Sequence, residues 1–233
     1  MPPPQQIRWR DGFVFRYVEQ TIHQAILLKL ARTISGLRAA LVLLENGFVQ
    51  EQAVMQRVLD EMGEDIFFLV YAVANDEVTE LHERYLEAFF QEEFDTAVAP
   101  TDSPQKRPMI PRKRIRAYLA AVEGKAYNQQ GKTLNPSDGV KLFKTLSKAY
   151  SGYVHAAAPH IMDLYGGNPP AFHLEGMLGT PRISEHADDL WNYFYRGLMA
   201  FAAAAMAFGN KKCVDYVYEN LKRFEGASGD KLG

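Results

Sequence analysis

Apolar residues recur along most of this chain at spacings of three and four, broken by short glycine- and proline-rich stretches. From Phe13 to Glu45 the positions Phe15, Val18, Ile22, Ile26, Leu30, Leu37, Leu41 and Leu44 keep to one helical face. Asn46-Gly47 then supplies a stop that tolerates positive φ. A second helix is predicted from about Phe48 to Ala74, with Phe48, Met55, Val58, Leu59, Met62, Ile66, Leu69 and Val73 as its main face. Its second half, IFFLVYAVA from Ile66, is apolar on every side and therefore expected to be buried all round. Asn75 is the predicted cap of an acidic third helix, with Val78, Leu81, Tyr85 and Phe89 turned inward.

A fourth helix is expected to follow Pro111 and to run to about Gln130. QGKTLNPSDG makes the next turn, with Asn135 as cap and Pro136 at the first helical position. The stretch Val140 to Tyr165 then reads as an amphipathic helix around which the rest is organised. Phe143, Leu146, Tyr150, Val154, Ala157 and Ile161 form its stripe, Ser151 and His155 border one side, and Tyr153 and His160 border the other. Pro159 lacks an N–H, so a kink is expected there, with the carbonyl of His155 left free. A final helix from Ser184 to Phe224 places acids early and bases late, as the helix dipole prefers. Its small-residue run FAAAAMAF suits a central, closely packed position.

The pattern gives an all-α fold class: a single-domain bundle of about six helices, 1–233, with a long C-terminal helix. Segments 1–12 and 225–233 are expected to be flexible ends. Segment 99–111, with four prolines, reads as a linker or surface loop; segment 166–183, with four glycines and three prolines, reads as a lid or a packed irregular loop.

Composition narrows the chemistry. A hydrophobic content of 47% over 233 residues is ample for a folded core. A formal charge of −2 gives no global attraction to nucleic acid or anionic lipid, so such binding would need a local patch. The one cysteine, Cys213, excludes an intrachain disulfide framework and a cysteine-based zinc site. With no run of 18 apolar residues and no signal-peptide core near the start, a cytoplasmic location off the membrane is the expectation.

Two groups of residues stand out. Lys106, Arg107, Arg112, Lys113, Arg114 and Arg116 put six cations into eleven positions, a candidate phosphate-contacting segment. Because cations oppose the dipole at a helix start, the acidic third helix is the expected partner that neutralises them. On the second helix Arg57, Glu61 and Asp65 form a polar row running into the buried half, which reads as either a cleft or a solvated pair. Glu-x-x-His metal pairs, glycine-rich phosphate loops, a GxSxG elbow and HExxH are all absent, Leu86 standing where the second histidine of HExxH would be. No metal or cofactor is implied.

The segment ARTISGLRAALVLLENGFVQEQAVMQRVLDEM with Arg57 and Glu61, followed by YSGYVHAA with Tyr150, Ser151 and His155, resembles a bacterial all-helical family of unassigned function. That family joins an R-x-x-x-E helix to a Y/S-x-x-x-H helix, and the resemblance covers about Phe13 to Tyr165. It implies no activity. A remoter likeness is to HEPN helical ribonucleases, marked by an arginine and a histidine on one helical face; Arg16 and His23 have that spacing but lie in the first helix. Metal-independent RNA cleavage would pair His155 as base with Arg57 as electrostatic stabiliser. The leading expectation is a helical binding or assembly module, whose surplus of apolar and aromatic residues leaves a face for a protein partner or a second copy.

Overall fold

The computed structural model describes residues 1–9, 11–92, 100–102, 106, 108–129, 148 and 150–229. Two antiparallel strands come first, β1 (Gln5–Trp9) and β2 (Gly12–Arg16), with Gln5 opposite Arg16 and Trp9 opposite Gly12. The eight α-helices among the described residues are α1 (Ile22–Glu45), α2 (Val49–Ala74), α3 (Glu80–Phe90), α4 (Arg112–Gln129), α5 (Ser151–Val154), α6 (Ala158–Met162), α7 (Arg182–Ala207) and α8 (Lys211–Ser228). A second small hairpin joins β3 (Tyr165–Gly166) to β4 (Ala171–Phe172). The chain is thus mostly helical, with two minor hairpins beside the helices.

The first helix begins nine residues later than its apolar spacing suggests. Phe13 and Phe15 stand in β2 and are exposed. The alternation of β2, paired with β1 from Gln5–Arg16 to Trp9–Gly12, outweighs the helical reading there. Helix α1 starts instead at a capping box, in which the Thr21 N–H donates to the Gln24 side chain. Its end follows the sequence: Gly47 has φ +81°. A side chain at Gly47 would strike the backbone of Met177 and Leu178, because Met177 N donates to Gly47 O at 2.8 Å. Buried Met177 pins segment 166–183 to the α1–α2 turn at that point, while Leu174 and Leu178 near it are exposed.

Three further boundaries move. Asn75 closes α2, and α3 starts after Thr79, which caps it together with His82. The organising helix is not continuous where it is described. His155 ends α5, Ala156 takes φ +49°, and Pro159 sits in the first turn of α6, where its missing N–H removes no helical bond. Its earlier part, with Phe143 and Leu146, and the Asn135-Pro136 turn lie outside the described residues. The predicted last helix is two: Gly209 at φ +63° breaks it, and the Asn210 side chain accepts from Cys213 N at 3.1 Å to start α8. Helix α8 continues through 225–228.

The main core gathers Ile26 and Leu30 of α1, Ile66, Phe68 and Leu69 of α2, Tyr85 of α3, Ile115 and Leu119 of α4, and Ala200, Ala203 and Ala204 of α7. The alanine run lets α7 approach closely, as its small side chains predicted. A second cluster joins the other halves of α1, α2 and α7. Helix α2 is therefore the central element, and its face decides the site. No helix among the described residues is long and apolar enough to cross a membrane.

Candidate functional site: a polar column and a cavity along α2

In its first half α2 turns only Leu59 of its predicted apolar face fully inward. Met55, Val58 and Met62 are only half-buried, whereas Gln52, Gln56, Asp60 and Glu64 are buried. These four are spaced by four residues and form a polar column one position ahead of the Arg57–Glu61–Asp65 row. Buried polar groups need partners, and the neighbouring helices supply several. Gln52 bonds His186 Nδ1 at 2.7 Å. Tyr193 Oη donates to Asp60 at 3.1 Å, and Arg196 of α7 pairs with the same carboxylate at 2.8 Å. Arg116 of α4 donates to Glu64 at 2.9 Å.

Asp65, 1% exposed, sits between Lys29 Nζ at 2.7 Å and the forked guanidinium of Arg112, whose Nη2 lies at 3.1 Å. Burial pushes its carboxyl up, but Arg112 and Lys29 more than offset that and hold it below the usual carboxylate range. Asp60 and Glu64 go the other way. For each, desolvation outweighs the arginine beside it and raises the carboxyl.

Even so, the column is not fully satisfied. Both amide atoms of Gln56, Asp60 Oδ2, Glu64 Oε2, Arg57 Nη1 and Arg116 Nη2 are buried without a hydrogen-bond partner. Leaving such an atom unmade costs about 1–3 kcal/mol each, so several along one helix face call for a further polar group or water. Of these residues Glu64 also lines a cavity of about 210 Å3 between α1, α2, α4 and α7. Leu59, Phe67, Leu119 and Ala200 give it apolar walls; Glu64, Glu123, Tyr71, Tyr193 and Arg196 give it polar edges. Gly63 opens it, since a Cβ there would meet nothing within 4 Å. Burial raises the Glu123 carboxyl, and burial together with Glu123 pushes the Tyr71 hydroxyl up to about 12.

The structure distributes the sequence candidates among three places. Arg57 and Glu61 do come together, at 2.7 Å, and Arg112 joins Glu61 at 3.6 Å. Tyr150 instead donates to Asp189 at 2.6 Å, with its ring against Tyr193. Ser151 is half-buried and His155 exposed on α5. Among the described residues no hydrogen bond or ion pair joins His155 to Arg57 or Glu61.

Of the basic segment, Arg112 and Arg116 are committed to α2, while Lys106, Lys113 and Arg114 are exposed; Arg107 lies outside the described residues. The acids that neutralise Arg112 and Arg116 are Glu61, Glu64 and Asp65, not those of α3 as the charge pattern suggested. The α3 charges point to solvent because its inner face is taken by Tyr85 and by His82. The His82 ring stacks on Phe68 at 4.0 Å, and its Nδ1 accepts from Thr79 N at 3.1 Å.

Gln56, Asp60, Glu64, Glu123 and Arg196 were not singled out from the sequence. The four-residue spacing of Gln52, Gln56, Asp60 and Glu64 was the available signal. Glu123 and Arg196 offered none, because their role depends on where α4 and α7 pack. No family model matches this chain, and neither the curated proteins nor the solved structures contain a match to it.

Proposed function

We propose that this chain is a binding module whose ligand enters the cavity between α1, α2, α4 and α7. The carrying observation is the cavity itself, where apolar walls from Leu59, Phe67, Leu119 and Ala200 meet the charged residues Glu64, Glu123 and Arg196. An apolar concavity with a few convergent polar groups is the ordinary form of a small-molecule site. Its size supports a compact occupant, since a cavity of about 150 Å3 in another protein holds benzene. The groups around it suit recognition better than catalysis: they are the carboxylates Glu64 and Glu123, Arg196, and the hydroxyls of Thr33, Tyr71 and Tyr193, with no serine, cysteine or histidine among the lining residues.

The test uses Gly63, where added side-chain atoms enter the cavity and replacing glycine favours the helix by roughly 0.5–1 kcal/mol. Ligand-observed NMR with a collection of ring-sized fragments is expected to find binders to the wild-type chain that Gly63→Leu no longer binds. Absence of any binder, or binders retained equally by a folded Gly63→Leu, would overturn the reading.

A further inference from the structure

The charged residues on the cavity wall differ in how far they are neutralised. Arg196 lies at the rim and already holds Asp60 at 2.8 Å, with its guanidinium stacked 4.9 Å from the Tyr193 ring centre. Glu64 is more than nine-tenths buried; Arg116 occupies Oε1, while Oε2 has no hydrogen bond and its nearest cation, Arg112, stands at 3.8 Å. Glu123 faces the same space from α4, half-buried, and no ion pair is formed by it among the described residues. Glu123 is therefore the carboxylate on the wall without a counter-ion, and the cavity's one arginine is spoken for.

The apolar part is aromatic on two sides. Phe67 and Tyr71 of α2 and Tyr193 of α7 line it, and aromatic faces attract cations as well as rings. A carboxylate ligand would meet Glu64 and Glu123 as like charges. A neutral ligand would leave Glu123 desolvated without a counter-charge.

Resting on the binding reading above, we infer that the cavity takes a compact organic amine. Its ring-sized apolar body lies among Leu59, Phe67 and Leu119, and its ammonium donates to the Glu123 carboxylate. The ammonium is a donor for this acceptor, and its charge is the counter-ion that Glu123 lacks.

Three probes of nearly equal shape separate the possibilities by calorimetric titration: 2-phenylethylamine, 2-phenylethanol and phenylacetate. The amine is expected to bind at least about ten-fold more tightly than the alcohol, with phenylacetate weakest, since a charge-assisted hydrogen bond is roughly twice as strong as a neutral one. Glu123→Gln, at a half-exposed position that tolerates the change, is expected to remove most of the amine's advantage while leaving the alcohol's affinity within about two-fold. Equal binding of all three, or an amine preference unchanged in Glu123→Gln, would overturn the amine assignment and leave the cavity a binding site. Failure of all three to bind, with the fragment collection also silent, would overturn the binding reading itself.

Discussion

Replacing Asp65 with asparagine removes one charge from the best-buried ion cluster in the described structure without changing the shape of the side chain. Lys29 is then left 9% exposed with its charge uncompensated, its Nζ 4.8 Å from the Phe89 ring centre and 5.8 Å from that of Tyr85. Arg112 is less affected, because Glu61 at 3.6 Å and Glu64 at 3.8 Å remain. Breaking a buried pair by removing one partner costs about 3–5 kcal/mol. The asparagine oxygen retains one acceptor, so Asp65→Asn belongs at the lower end, about 3 kcal/mol. For a chain of 233 residues that corresponds to a fall in Tm of roughly 6–12 °C.

The double variant Lys29→Met, Asp65→Asn removes both charges and is expected to recover at least half of that loss, since an apolar replacement of a buried pair is often near neutral. Urea unfolding of the wild type, both single variants and the double variant at pH 7 gives the coupling directly. Because the Asp65 carboxyl is held low, its contribution is present at pH 7 and is lost as pH falls through its folded pKa, below the ordinary carboxylate value. A single-variant loss under about 1 kcal/mol, or additive losses in the double variant, would refute the claim that this cluster is a buried, mutually dependent unit.

Three further outcomes follow from the same geometry. Burial lowers the imidazoles of His82 and His186, so both are neutral in the fold while the unfolded chain takes up protons near pH 6.5. Their contribution to stability falls as pH drops below that value, and NMR titration should give both midpoints below it; midpoints at or above 6.5 would contradict the burial argument. Gly47→Ala places a Cβ at φ +81° and 2.6 Å from Met177 N, and is expected to cost about 1–3 kcal/mol in thermal or urea unfolding, whereas Gly63→Ala should be neutral or stabilising. With Arg112 and Arg116 tied to α2, fluorescence anisotropy should find RNA binding no tighter than the non-specific range of about 10⁻⁴–10⁻⁶ M at physiological salt, unchanged in sequence preference by Lys113→Ala with Arg114→Ala.

Much of α2 could be read in advance, from Asn46-Gly47 before it to the all-round apolar run at Ile66. Both features are local: a residue that accepts positive φ, and a stretch too apolar for solvent. The hairpin was obscured because Phe13 and Phe15 alternate while Phe15 and Val18 keep a helical spacing, and the pairing of β2 with β1 decides between them. The break at Ala156 could not be read, since an alanine at positive φ carries no sequence mark. The candidate site was half legible. Arg57 and Glu61 do pair on α2, but the buried polar residues lie one column away, where glutamine, aspartate and glutamate at four-residue spacing imitate a solvated face, and of these Glu64 lines the cavity. Only the packing of α7 and α4 shows that column to be buried.

The central claim, that the α2 cavity holds a ligand, is tested most directly by methyl NMR. With leucine methyls labelled, titration with 2-phenylethylamine should shift Leu59 and Leu119, which line the cavity, and leave Leu221, packed between α7 and α8, in place. Saturable shifts confined to Leu59 and Leu119 are the predicted result. Resonances unmoved by this amine and by every ring-sized fragment at millimolar concentration, or equal shifts at Leu221, would contradict it.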